Sequence, residues 1–198
     1  MILTIPLIYL IFIQNPFKEK LLQADTAFIK VDYSKVIDEL EGISPKSLPN
    51  TQKYELAYSY IQGLEFSDDQ RKVILNNVTL KSDDLYLNYW IQVGRNDFED
   101  ALDTAKRIND SDLIIYALTQ EMKKVREDDS LSGKDRETKL ESLEGEYKKY
   151  WDSRKELLTG DSSSSASSEE GSSGASSSSS SEASSSSCLL YTSDAADE

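Results

Sequence analysis

From residue 17 to residue 158 the apolar side chains recur at intervals of three and four, and no alternating run is long enough for a strand. That spacing restricts the chain to helices, each burying one stripe. Phe17, Leu21, Ala24, Phe28 and Val31 define a first stripe; Tyr33, Val36, Ile37 and Leu40 define a second, ended by Gly42, Pro45 and Pro49. Asn50 is placed to cap a helix carrying Leu56, Ala57, Tyr60, Ile61 and Leu64, with Gly63 near its end. Asp68 and Asp69 suit the positive first turn of the next helix, which presents Val73, Ile74 and Val78. Ser82 opens a helix with Tyr86, Tyr89, Trp90 and Val93 that Gly94 closes, the aromatic residues being read as core. Phe98, Ala101, Leu102, Ala105 and Ile108 form a further face, and Ser111 starts a helix with Ile115, Leu118, Met122 and Val125. Residues 135–158 read as a long charged helix. Its seam of Leu140, Leu143, Tyr147, Tyr150 and Leu157, interrupted by Arg154, packs within the domain or against a second copy of the chain. The expected fold is all-α.

Two segments echo each other. Asp32-Tyr33-Ser34-Lys35-Val36-Ile37-Asp38-Glu39-Leu40 aligns with Asp97-Phe98-Glu99-Asp100-Ala101-Leu102-Asp103-Thr104-Ala105 at an offset of 65 residues. That is close to twice the roughly 34-residue period of tetratricopeptide helix pairs. Antiparallel helix pairs stacked in a tetratricopeptide-like manner account for the echo, and a plain bundle accounts for the same spacing without a repeat.

The chain has three compositions. Residues 2–13 are an uncharged apolar run, shorter than the roughly 20 residues a membrane-spanning helix needs. A signal peptide would open with basic residues and end at small ones, and this run does neither. Residues 1–14 therefore read as the C-terminal part of a transmembrane helix whose beginning precedes Met1. Residues 17–160 hold all 22 basic and 29 of the 36 acidic side chains, and form one domain of ordinary size. Residues 161–187 are mostly Ser with no Lys or Arg, a composition that predicts a disordered tail. Residues 188–198 resemble a translated sequencing adapter and are set aside.

Composition also narrows function. A net charge of −14 argues against a nucleic-acid partner, since phosphate binding needs a cationic footprint. Without any His there is no Ser-His-Asp or Cys-His nucleophile and no His-ligated metal. The single Cys188 excludes an internal disulfide. Phosphate-binding glycine loops and calcium loops are absent from the sequence. The paired carboxylates Asp68-Asp69, Asp83-Asp84 and Asp128-Asp129 fall where helices begin, so capping explains them. Asn77-Val78-Thr79 matches a glycosylation acceptor but lies inside a predicted helix. The reading is a non-enzyme, with no catalytic residue, cofactor or metal assigned.

Several motifs in fixed order carry a resemblance. An apolar segment ends near Pro16 and is followed by Phe17-x-Glu19, Asp32-Tyr33-x-x-Val36-Ile37 and Tyr54-Glu55-Leu56-Ala57. Tyr89-Trp90-Ile91-x-x-Gly94-Arg95, Asp97-Phe98-x-x-Ala101 and Tyr116-Ala117-Leu118 complete the series. Over roughly residues 1–158 the chain resembles the EssB/YukC family, a core membrane component of type VII (ESX-like) secretion machines in Firmicutes. The resemblance implies a single-pass membrane protein with a catalytically incompetent kinase-like cytoplasmic domain, which this sequence lacks, then one helix and a helical outer domain. It also implies a homodimer that joins the other secretion membrane subunits, with lipid around residues 1–14 and everything after residue 16 extracytoplasmic. A secreted tetratricopeptide-like peptide- or ligand-binding module with a cleaved leader is the alternative expectation.

Overall fold

The computed structural model describes the backbone of residues 4–160 and the side chains of residues 16–156. The side chains of the apolar run, the Ser-rich stretch 161–187 and residues 188–198 lie outside the described residues. Among the described residues eight α-helices follow in order: α1 (Thr4–Ile29), α2 (Tyr33–Leu40), α3 (Asn50–Gly63), α4 (Asp68–Asn77), α5 (Asp84–Gly94), α6 (Phe98–Ile108), α7 (Ser111–Glu127) and α8 (Gly133–Gly160). A short 3-10 turn, Pro45–Ser47, precedes α3. The fold is all-α, as the periodicity predicts. The chain divides into two compact units, Met1–Asn109 and Asp110–Glu198.

In the first unit the helices touch in the order of a helix-pair stack. α1 packs on α2, α2 on α3, α3 on α5, and α5 on α6; α1 also reaches α3, while α4 adheres to α3 only lightly. Taking α1, α3 and α5 as the first helices of three pairs makes α2, α4 and α6 their second helices. The 65-residue echo then spans two pairs, with α4 as the weak member between.

The echo has a local cause. At the end of α1 the Val31 amide donates to the Phe28 carbonyl and the Asp32 amide to Ala27; at the end of α5, Asn96 donates to Val93 and Asp97 to Gln92. Both are the paired closing bonds of a helix that stops on a left-handed residue. Val31 and Asn96 sit at φ 62 and φ 59, and each is followed by an Asp at the start of the next helix. Val31, assigned by spacing to the first stripe, thus lies in the turn and is exposed.

The core of this unit gathers Val36, Leu40, Leu56, Ile61, Leu87, Tyr89, Trp90, Ile91 and Val93, each fully buried. Gly94 does more than end α5. A Cβ there would lie 2.1 Å from the Tyr60 ring, so α5 approaches α3 as closely as it does only because Gly94 has no side chain. Beside it, Arg95 reaches back to donate to the carbonyls of Leu40 and Ile43, at 3.3 and 3.0 Å, satisfying the open end of α2.

Two helix starts differ from expectation. Pro49 holds the cap position of α3, and Asn50 instead donates from its side-chain amide to the Leu80 carbonyl at 2.9 Å. Asp83 caps α5, while the Ser82 hydroxyl closes the preceding turn by accepting from the Thr79 amide at 2.7 Å. α7 starts at Ser111 as expected, capped by Asp110, whose carboxylate accepts from two successive amides. In each of the last two the ionised carboxylate is the stronger acceptor for open amides. α4 ends at Asn77, so Val78 and Thr79 are loop, not helix.

The second unit is a helical hairpin, α7 against α8. Leu113, Ile114, Ile115, Leu118, Met122 and Val125 of α7 are buried; among the described side chains of α8 only Leu143 is. Arg154 does not interrupt the seam. It turns inward to pair with Asp112, both nearly buried, and lies over the Trp151 ring at 5.7 Å. The long helix therefore packs within the chain.

Candidate docking surface and the α1–α3 seam

α1 is one continuous helix through Pro16, so the charged residues 17–29 extend directly from the apolar run. Proline inside a helix removes one backbone hydrogen bond without requiring that the helix end. Among the described residues no helix is long and apolar enough to cross a membrane.

The described part of α1 sits on α3 through small residues. Ala24 and Ala27 are buried, letting the backbones approach. Next to them Phe28 stands edge-on to Tyr58 at 5.4 Å, to Tyr54 at 5.7 Å and to Tyr33 at 6.0 Å. Edge-to-face contacts of this kind add about 0.5–1.5 kcal/mol each beyond area burial. Burial raises the Tyr33 and Tyr54 hydroxyls above the usual tyrosine range, and the neighbouring Tyr58 adds to both. The four rings are half-buried, with one side open to solvent.

Two large apolar side chains of α1 are exposed: Leu22 and Ile29 share a face, being seven residues apart, with 65% and 81% of their surfaces in solvent, and Val31, in the turn after α1, is 65% exposed. Leu80 stands exposed on a separate loop. Such side chains face water at a cost of about 1.5–3 kcal/mol each relative to burial, so a partner that covers them is favoured.

Polar pairs tie the stack together beneath this surface. Lys53 of α3, almost buried, pairs with Asp84 of α5. The Gln52 side-chain amide donates to Asp25 of α1 at 2.6 Å. Glu55 is buried beside them, its carboxyl pushed up to about 7 by desolvation first and by Asp25 second.

The carboxylate pairs marked in the sequence behave as helix starts and turns. Ser67 and Gln70 form a reciprocal cap with Asp68 and Asp69 in the first turn of α4. Asp128 accepts from the Ser130 hydroxyl and amide, which hold its carboxyl below the usual range. Among the described residues no group of His, Cys, Asp and Glu is arranged to hold a metal ion. Sequence spacing missed Asp25 and Glu55. The available signal was the acidic residues set directly beside buried Ala24 and Leu56 on stripes otherwise apolar.

The first unit is thus a stack of helix pairs with aromatic and aliphatic side chains at its surface. More specifically, the chain belongs to the YukC family, described as WXG100 protein secretion system (Wss), protein YukC, whose family model matches residues 1–153. It is 30% identical over 142 residues to the ESX secretion system protein YukC of Bacillus subtilis, covering 71% of this chain and 31% of that protein. Over 156 residues it is 31% identical to the type VII secretion system protein EssB of Staphylococcus aureus, covering 77% and 33%. The chain thus spans about a third of the length of these relatives. The crystal structure of a Geobacillus thermodenitrificans EssB extracellular fragment superposes with a TM-score of 0.70 at 38% identity, covering 75% of this chain and 98% of the fragment.

Proposed function

We propose that the chain is a structural and interaction subunit of a type VII (ESX-like) protein secretion machine. Residues 1–14 sit in membrane lipid as part of a single-pass anchor. The helical region after residue 16 lies outside the membrane and docks other secretion subunits or a second copy. It acts through shape and carries out no catalysis. The observation that carries this reading is the match of residues 1–153 to the YukC family, reinforced by the likeness to a fragment titled extracellular. The exposure of Leu22 and Ile29 on one face of α1 supports docking at the first helix pair.

Affinity purification from detergent-solubilised membranes tests it. The chain is expected to co-purify with itself or with secretion membrane subunits, and Leu22→Ser with Ile29→Ser should weaken that recovery several-fold. Recovery alone, as a monomer from the soluble fraction, would reject the proposal. The helix-pair order of the first unit also suits a secreted tetratricopeptide-like binding module. N-terminal sequencing separates the two, since cleavage near residue 16 belongs only to the secreted module.

A further inference from the structure

We propose that the facing carboxyls of Asp25 and Glu55 form a one-proton site that fastens α1 to α3, so that the grip between these helices weakens as pH rises toward neutrality. The inference concerns this fold alone and goes beyond the secretion reading.

Two carboxyl groups meet here with one donor between them. Glu55 is 6% exposed, and its buried Oε2 has no hydrogen-bond partner. Asp25 takes the amide of Gln52, itself 7% exposed, at 2.6 Å. An ionised carboxylate only accepts hydrogen bonds, so two of them facing each other can share one only when one holds a proton. With a proton on Glu55, its hydroxyl donates to Asp25 and the orphaned oxygen is satisfied. Without it, two negative charges face each other, that of Glu55 being buried.

Charges from the surrounding elements do not relieve this. On α3 itself, Lys53 is committed to Asp84 of α5, and Tyr54 feels Glu55 only as a neighbour that raises its own hydroxyl. Arg71 of α4 is held by the carbonyls of Leu64 and Phe66 and by Asp68. Arg95, following α5, is held by the carbonyls of Leu40 and Ile43. Lys35 of α2 is exposed. The charge that acts on Glu55 is that of Asp25, and it acts in the same direction as burial.

The direction of the pH effect follows from where the proton is held more tightly. Below about 4.5 Glu55 is protonated whether or not α1 is seated. Between about 4.5 and about 7 the seated form keeps a proton that the open form releases, so each pH unit favours opening. Above about 7 both forms are ionised and the loss levels off.

Amide hydrogen exchange of residues 17–29 in the full chain, corrected for intrinsic rates, reads this directly. Protection is expected to fall on the order of fiftyfold between about pH 5 and about pH 8, while α7 stays level. Glu55→Gln, whose amide donates permanently to Asp25, should hold α1 at the acid plateau throughout. If that variant does not fold, Asp25→Asn, which removes the second charge but leaves the burial, must make the same profile shallower. Carbon-13 titration of the Glu55 carboxyl in the unaltered chain gives an independent reading: a midpoint near 7 supports the site, and one in the ordinary carboxylate range overturns it. Parallel profiles for the chain and its Gln variant would overturn it equally.

Discussion

The two units of the chain are cohesive for different reasons. In Met1–Asn109 the helices meet through buried aliphatic and aromatic side chains, with Trp90, Tyr89 and Leu56 wholly enclosed and α5 brought against α3 by a missing side chain at Gly94. In Asp110–Glu198 one hairpin is crossed by charge pairs: Asp112 with Arg154, Glu121 with Lys139 at 2.8 Å, and Arg126 with Glu144 at 3.3 Å. Apolar packing is intolerant of volume and indifferent to salt. Charge pairing tolerates volume and fails when one partner is removed. Two helices alone have little interior to offer, so the second unit meets its polar groups inside the seam rather than excluding them.

The sharpest way to break the first half of that comparison is Gly94→Ala. The added methyl would overlap the Tyr60 ring at 2.1 Å, and neither α3 nor α5 can yield without disturbing the enclosed core. The expected cost is about 3 kcal/mol, the top of the usual range for overpacking, measured by denaturant unfolding. Exchange protection should collapse in α3 and α5. A loss below about 1 kcal/mol would mean that the helices separate easily, and that the close approach is not what holds them.

The second half is tested by Arg154→Met. Asp112, with 8% of its side chain in solvent, then loses its guanidinium partner, which should cost about 3 kcal/mol. Replacing both members, Asp112→Leu with Arg154→Met, should recover most of that loss, because a buried pair and an apolar pair of similar volume are nearly equivalent. By contrast, Glu144→Gln removes a pair exposed on both sides and should change stability by less than about 0.5 kcal/mol. If the double replacement is no better than the single one, the hairpin depends on the ion pair itself and the contrast between units is stronger still.

How far these features could be read in the sequence depends on whether a neighbour along the chain or across it creates them. The helices were legible because a stripe at three-and-four spacing is a local property, and the 65-residue echo was legible for the same reason. Its physical cause was not. The aligned residues Asp32 and Asp97 mark the starts of α2 and α6, but the repeated object is the left-handed turn one residue earlier, where Val31 and Asn96 look nothing alike. Gly94 reads as a helix stop because the ring that forbids a side chain belongs to another helix. Arg154 reads as a flaw in a heptad because its partner Asp112 lies on the preceding helix. The Asp25 and Glu55 site is of the same kind: two acids on separate helices, each ordinary until α1 lies on α3.

A more modest effect than either core change concerns the turn that both copies of the echo share. Val31 holds φ 62, a conformation that crowds a β-branched side chain against its own carbonyl, while Asn96 holds φ 59 in the matching turn with a residue that adopts it readily. The bonds closing the two turns agree within about 0.1 Å, so geometry is common and only the residue differs. Val31→Asn should therefore stabilise the first unit by about 1 kcal/mol, raising its melting temperature by a few degrees, and Asn96→Val should lower it by a similar amount. Because Val31 is 65% exposed, little packing is lost in the exchange. Equal and opposite shifts would establish that the strain resides in the backbone of the turn. A loss of stability in Val31→Asn would show instead that the exposed valine is already covered, which in the isolated chain points to contact between copies at this turn.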